Sequence, residues 1–138
     1  MAEQLVVRRL SKRFGGLRAV QDLDFDVREG ETLALIGPNG AGKTTSFNLI
    51  TGYYRPDAGS ITAFGRELAG LPPYEICALG IARTFQVGRP FGKMTVLANV
   101  MTGAFLRERK TAVARERALE ALDFVGLSAK KRTRSPPT

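Results

Sequence analysis

The sequence is 138 residues long, with 43% hydrophobic and 25% charged residues, a size and composition typical of one soluble globular domain with its own core. No apolar run approaches the ~20 residues that a membrane-spanning helix needs, and the first residues lack the layout of a secretory signal, so a cytosolic location is expected. Histidine is absent and the single Cys77 cannot form an internal disulfide, which excludes histidine-dependent catalysis and a disulfide framework.

The net charge of +8 is unevenly distributed, because residues 101–138 hold nine Lys or Arg against four acidic residues. The basic run at residues 130–134 is of a kind that favours nucleic acid or an anionic membrane surface. With Pro136-Pro137 close behind it, the run is more typical of a solvated end. We therefore predict a basic, disordered tail over residues 128–138.

The N-terminal part contains two candidate strands before a buried one. Leu5–Val7 begins the first, and residues 22–27 alternate Asp with apolar residues, which predicts a half-buried antiparallel strand. Glu29-Gly30 then turns into Leu33–Ile36, an apolar run without alternation. Such a run is typical of a strand buried on both faces in the middle of a parallel sheet.

A glycine-rich loop follows this predicted strand directly. The phosphate-binding pattern G-x-x-x-x-G-K-[ST] is matched by Gly37-Pro38-Asn39-Gly40-Ala41-Gly42-Lys43-Thr44. Phe47–Ile50 has helical spacing and predicts a helix that ends near Gly52. Glycines let successive backbone N–H groups point at an anion, and the helix adds its positive N-terminal end. In this pattern Lys43 reaches the β- and γ-phosphates and the Thr44 hydroxyl ligates Mg²⁺, so we predict a nucleoside triphosphate site.

Short strands and helices are predicted after the loop. Arg55–Gly59 has turn chemistry, and Ser60–Phe64 is typical of a short strand. Leu71–Gly80 predicts a short helix with proline in its first turn. Ile81–Phe85 predicts a further strand, with Gln86 at its end.

From residue 87 onward the pattern is helical. A loop over residues 87–93 leads to Thr95, which can cap a helix, and a second helix is predicted from Thr111 to Val125, ended by Gly126. The apolar positions of the first helix are Val96, Leu97, Val100 and Met101. The apolar stripe of the second consists of Val113, Ala118, Leu119, Leu122 and Val125.

Taken together, these stretches resemble the ATP-binding subunit of ABC transporters, most closely the subunits of branched-chain amino-acid importers. The resemblance is carried by residues 14–20, 34–44, 51–61, 80–86 and 94–100 and extends over about residues 4–127. It implies an α/β fold of the P-loop NTPase class, with antiparallel strands, the start of the parallel core sheet and the start of the helical subdomain. We accordingly predict a partial nucleotide-binding core over residues 1–86 and the start of the helical subdomain over residues 87–127.

The resemblance also assigns roles to single residues. Phe14 matches the aromatic that stacks on the adenine ring, with Val20 beside it. The loop from Gly37 to Thr45 would bind the phosphates. Gln86 matches the glutamine that contacts Mg²⁺ and the attacking water, so catalytic roles fall to Lys43 and Gln86 and the metal contacts to Thr44 and Gln86. The plainer alternatives are a core phenylalanine at position 14 and a polar strand end at position 86.

The sequence also departs from the family pattern. It has no Leu-Ser-Gly-Gly-Gln-type signature, no Asp-Glu pair and no switch histidine, and the family pattern is lost after about Ala129. We therefore expect a chain truncated before the signature and the second acidic motif, without its general base and not turnover-competent alone.

The resemblance implies an ATP-binding subunit of an importer, for branched-chain amino acids, that couples ATP binding and hydrolysis to transport. Its expected cofactors are ATP and Mg²⁺. Its expected partners are transmembrane permease subunits, resting on residues 87–97, and a second ATP-binding subunit in a homo- or heterodimer, at the cytoplasmic face of the membrane. The main alternative is a non-hydrolysing nucleotide-binding or regulatory module. A nucleic-acid-handling ABC-type ATPase is less favoured because no coiled arms or tandem cassettes are visible, and no nucleic-acid partner is expected.

Overall fold

The computed structural model describes residues 3–134. It divides into two compact units, the first ending at Arg83 and the second beginning at Thr84. The strands are β1 (Glu3–Phe14), β2 (Leu17–Arg28), β3 (Ala58–Ala63) and β4 (Arg66–Glu67). The helices are α1 (Lys43–Ile50), α2 (Pro73–Ala78), α3 (Val96–Ala104) and α4 (Thr111–Phe124), with a single 3₁₀ turn at Ser128–Lys130.

The first unit is built on a four-stranded antiparallel sheet in the order β2-β1-β3-β4. The predicted antiparallel pairing of the first two strands is confirmed, with Val7 opposite Phe25. Both strands are longer than predicted: β1 runs on to Phe14, and a turn at Gly15-Gly16 leads straight into β2. Gly15 has φ +55°, a conformation that glycine adopts without strain, so the hairpin can be this tight.

The core of the first unit lies between the sheet and α1. Apolar side chains from the sheet, from α1 and from the segment around α2 are buried together, which explains why these elements form. The buried residues are Val7, Leu10, Val20, Leu49, Ile50, Ile61, Ala63, Leu68 and Ile76. The predicted helix after the loop and the predicted strand near residue 60 are therefore confirmed as α1 and β3.

The predicted start of a parallel core sheet is wrong for the residues described. Leu33–Ile36 is not a strand, and the side chains of Leu33 and Ile36 are 42% and 93% exposed. Ile81–Phe85 is likewise irregular, with Phe85 half exposed. A strand that is apolar on both faces needs neighbours along both edges, and every strand pair within residues 3–134 is antiparallel and formed by other segments.

The second unit pairs α3 with α4. Thr95 caps α3 as predicted, because its hydroxyl accepts a hydrogen bond from the Ala98 N–H at 3.1 Å. The predicted helix from Thr111 is also confirmed. It ends at Phe124, and Gly126 follows with a φ of +70°. The buried stripe differs from the prediction, since Val125 is 59% exposed. The stripe consists of Ala114, Ala118 and Leu122, at a strict spacing of four.

Part of the segment predicted as a disordered tail makes backbone hydrogen bonds to the start of α3. The N–H groups of Val96 and Leu97 donate to the carbonyls of Thr133 and Lys131 at 2.9 and 3.1 Å. The first N–H groups of a helix have no partner inside the helix, and these carbonyls supply one. The rest of the predicted tail, residues 135–138, lies outside the described residues.

Along residues 3–134, no helix combines the length and apolar character that crossing a membrane would require.

Candidate functional site

The glycine-rich loop connects the exposed segment 33–36 to α1, and its backbone carbonyls bind the side chain of Lys43. The Lys43 Nζ donates to the carbonyls of Gly37 and Pro38 at 2.5 and 2.7 Å. A turn inside the loop is closed by the Ala41 N–H donating to the Pro38 carbonyl at 3.2 Å. These bonds place the ammonium group within the loop, at the first residue of α1.

Gly42 lets the loop approach β2. Its φ is +83°, and a Cβ built there would lie 2.2 Å from the Ala19 carbonyl oxygen. A side chain cannot occupy that space without moving the backbone of either element. The second fixed glycine of the pattern is therefore needed for packing, because it lets the loop lie against the β1–β2 hairpin.

The N-terminal end of α1 suits an anion. No side chain caps it, its first turn contains no acidic residue, and Gly42 is its N-cap. The half-buried Lys43 adds a full positive charge at the same place. A helix N-terminus carries a partial positive charge, so dipole and side chain favour the same ligand charge.

The loop and the hairpin tip border one cavity of about 310 Å³. Its lining consists of Phe14, Leu17, Arg18, Ala19 and residues Asn39 to Thr45. Among these described lining residues two are basic and none carries a carboxylate. The cavity is therefore matched in charge to a polyanion.

Phe14 borders this cavity, whereas Val20 does not. Phe14 is 41% exposed, while Val20 is buried in the core and lines a neighbouring cavity of about 200 Å³ that also contains Lys43. The structure places Phe14 beside the phosphate loop and Val20 in the core. The adenine-contacting role of both residues stays a prediction.

Three residues around Phe14 could not be identified from the sequence pattern. Tyr54 presents its ring at 5.1 Å from the Phe14 ring in a T-shaped arrangement, and the Lys12 Nζ lies 5.5 Å from the Phe14 ring centroid. Asp57 accepts a hydrogen bond from Lys12 at 2.8 Å. That bond, and a second one from the Arg13 N–H, lower the pKa of Asp57 below its ordinary value.

The bonds of Asp57 to Lys12 and Arg13 join residues 45 and 44 positions apart, so no local pattern could have indicated them. In the sequence, Asp57 belongs to a Pro-Asp-x-Gly run, and turn formation is sufficient to explain an aspartate at that position. Arg18 is a further lining residue to which neither the loop motif nor the resemblance assigns a role.

Comparison with known proteins identifies the family. The model of the family described as ABC transporter matches residues 20–137. The chain belongs to the ABC transporter family. The resemblance seen in the sequence is thereby confirmed.

Two curated relatives of this ABC family chain carry branched-chain amino-acid names. The high-affinity branched-chain amino acid transport ATP-binding protein LivG of Salmonella typhimurium is 47% identical over 127 residues, covering 86% of this chain and 50% of the relative. The probable branched-chain amino acid transport ATP-binding protein LivG of Archaeoglobus fulgidus is 39% identical over 137 residues, covering 89% and 52%. The chain spans about half the length of the curated relatives it matches.

A solved structure confirms the α/β fold of the P-loop class. The ADP conformation of MJ1267, an ATP-binding cassette of an ABC transporter, matches with a TM-score of 0.81 at 29% identity. The match covers 97% of this chain and 58% of that chain.

The site residues fit a nucleotide and its metal in part. The uncapped helix end, the enclosed lysine and the close approach at Gly42 form a cradle for phosphate. No cluster of three or more acidic, Cys or His residues occurs within residues 3–134. A Mg²⁺ ion held by a threonine hydroxyl and phosphate oxygens needs no such cluster, and Thr44 is exposed to the cavity. Gln86 lies exposed in the second unit, and its metal contact stays a prediction.

Proposed function

We propose that this chain binds Mg²⁺-ATP and acts as part of the ATP-binding subunit of an importer for branched-chain amino acids. One observation carries the nucleotide part: the loop curled around Lys43 at an uncapped helix end borders the same cavity as Phe14. The names of the two LivG relatives support the choice of solute.

In this proposal each group of the cradle has a separate task. Lys43 neutralises charge on the β- and γ-phosphates, and the backbone N–H groups at the start of α1 donate to phosphate oxygens. Thr44 contributes its hydroxyl to the metal, and a bound Mg²⁺ would offset the remaining phosphate charge. Phe14 offers a π-face to the base, which is why it borders the cavity rather than the core.

The assembly completes the proposal. Permease subunits would rest on residues 87–97, a second ATP-binding subunit would close the site, and the complex would lie at the cytoplasmic face of a membrane. Gln86 would link the metal and the attacking water to the permease contact.

Nucleotide binding without turnover is the second candidate, and one observation favours it. None of the described residues that line the cavity is acidic, so no lining side chain is available as a carboxylate base. In this case the chain binds ATP as a regulatory module.

A titration of wild-type chain, Lys43→Ala and Lys110→Ala tests the nucleotide site. Lys43→Ala removes a charge-assisted phosphate contact, so ATP affinity should fall more than about tenfold, or ~1.4 kcal/mol. Lys110 is an exposed lysine of the second unit, and its replacement should leave the affinity unchanged. Equal affinity in all three proteins would contradict the assignment. An ATPase assay on the same samples tests the second candidate, because turnover above the Lys43→Ala background would contradict a module that binds ATP without hydrolysing it.

A further inference from the structure

Phe14 stands where little of the hairpin can hold it. It is the last residue of β1, and the turn after it consists of Gly15 and Gly16. A Cβ added to either glycine would have no atom within 4 Å, so nothing packs against this turn. Its ring is 41% exposed. Besides Lys12 of β1, the contacts that position this ring beside the cavity come from outside the hairpin.

Those contacts come from the segment that follows α1. Tyr54 meets the Phe14 ring edge-on at 5.1 Å. The backbone of Tyr54 is in turn fixed to the helix, because its N–H donates to the Asn48 carbonyl at 3.1 Å. The residue that contacts Phe14 is thus bonded to the helix that begins at the phosphate loop.

Asp57 binds the three residues that precede Phe14. Its carboxylate accepts from the Lys12 Nζ at one oxygen and from the Arg13 N–H at the other, both at 2.8 Å. Its own N–H donates to the Ser11 carbonyl at 3.0 Å. Both oxygens bond to charged or backbone donors, which fixes direction as well as distance.

The register of the sheet keeps Asp57 at this place. β3 begins one residue later, with Ala58 opposite Ser11. Gly59 has φ +87°, and a Cβ there would lie 2.4 Å from the Arg9 carbonyl oxygen. The backbones of β1 and β3 are therefore too close at this point for any side chain.

We propose that Asp57 is a positioning residue for the base-binding part of the nucleotide site, holding Lys12 and Phe14 so that the Phe14 ring faces the cavity beside the phosphate loop. The proposal rests on the proposed function, in which the ligand carries a base as well as phosphates. Asp57 itself does not line the cavity beside the phosphate loop. It acts through Phe14. The ion pair with Asp57 keeps the Lys12 ammonium 5.5 Å from the centroid of the Phe14 ring, where a cation is attracted by the ring.

The competing explanation is an exposed ion pair with no task beyond the fold. Exposed pairs contribute little to stability, and the Asp57 side chain is 46% exposed. The sheet offers a matched control, because Asp26 forms an equally short ion pair with Arg8 at 2.8 Å, with side chains 31% and 45% exposed. Asp26 does not line the cavity beside Phe14.

The test compares two ligands that share phosphates and differ in the base. Affinities for Mg²⁺-ATP and for Mg²⁺ with inorganic tripolyphosphate are measured by calorimetry on the full chain. Asp57→Ala and Phe14→Ala should each weaken ATP binding about five- to tenfold and leave tripolyphosphate binding unchanged. The double variant should be no weaker than Phe14→Ala, because both changes remove one interaction. Asp57→Asn keeps one acceptor and should fall between wild type and Asp57→Ala, and Asp26→Asn should match wild type.

Several results would overturn the inference. They are equal losses for both ligands in Asp57→Ala, unchanged ATP affinity in that variant, and additive losses in the double variant. Wild-type chain with no preference for ATP over tripolyphosphate would overturn it too, while leaving the phosphate site intact. Lys43→Ala distinguishes the proposals, because unchanged tripolyphosphate affinity in that variant contradicts the phosphate site itself. If Asp57→Ala fails to fold, Asp57→Asn and Asp26→Asn are compared instead. Weaker ATP binding in Asp57→Asn alone supports the inference, and equal ATP affinity in the two variants overturns it.

Discussion

At the scale of single residues, the site depends on where backbone comes close to backbone. Gly42 and Gly40 both have positive φ, at +83° and +85°, yet only Gly42 faces another backbone group. A Cβ on Gly40 meets nothing within 4 Å, whereas one on Gly42 would lie 2.2 Å from the Ala19 oxygen. Substitution of Gly40 therefore measures the free-energy cost of a side chain at positive φ alone. Substitution of Gly42 adds the cost of the clash with the Ala19 backbone.

We predict that Gly42→Ala destabilises the first unit more than Gly40→Ala does. Alanine at positive φ costs about 1–2 kcal/mol in either place. At position 42 the added methyl group must also displace the loop or β2, which should bring the loss to at least about 3 kcal/mol. Urea unfolding of both variants measures the difference. Equal midpoints would show that the loop does not pack on the hairpin as described.

At the scale of elements, α1 carries the site at both ends. Its first residue is Lys43, and the residues after it bring Tyr54 and Asp57 to the hairpin. Burial of Leu49 and Ile50 fixes the helix on the sheet. The same anchoring therefore holds the phosphate loop and the support of Phe14.

The burial of α1 leads to a matched pair of substitutions. Leu49 is 2% exposed and Phe47 is 47% exposed on the same helix. Leu49→Ala should cost about 2–5 kcal/mol of unfolding free energy because it leaves a cavity in the core. Phe47→Ala should cost less than about 1 kcal/mol. Denaturant melts of both proteins check this, and a larger loss for Phe47→Ala would place the wrong face of α1 on the sheet.

The elements that could be predicted from the sequence are those formed by local patterns. The alternation of residues 22–27, the helix after the loop and the Thr95 cap each depend on residues within a few positions. The prediction of a strand at Leu33–Ile36 is wrong, because a buried strand is defined by its neighbours, which the run itself does not encode. The loop was predictable as a motif, but its supports were not, since Asp57 and Lys12 are 45 positions apart.

At the scale of the whole molecule, the first unit leaves apolar side chains uncovered. Ile36 is 93% exposed, and Leu33 and Phe47 are 42% and 47% exposed. Leu33 and Ile36 lie within one four-residue segment, and contiguous exposed apolar surface favours association with other chains. Bound ATP would stabilise the folded state by mass action, about 2.7 kcal/mol at a hundredfold excess over Kd, without covering these groups.

We therefore expect the purified chain to self-associate and to bind a hydrophobic dye, with or without ATP. Light scattering gives the oligomeric state, and Ile36→Ser should lower the dye fluorescence because it removes the most exposed of these side chains. A monomer with a sharp cooperative melt and no dye binding would mean that the segment 33–36 is covered in solution.

The central claim is that the loop over residues 37–45 binds phosphates through its backbone and Lys43. Hydrogen–deuterium exchange of the full chain tests it most directly, because N–H groups that donate to phosphate oxygens exchange slowly. Saturating Mg²⁺-ATP should slow exchange in peptides covering residues 37–45 and leave Thr111–Phe124 unchanged, and Lys43→Ala should lose this protection. Unchanged exchange at residues 37–45, or protection confined to α4, would contradict the account.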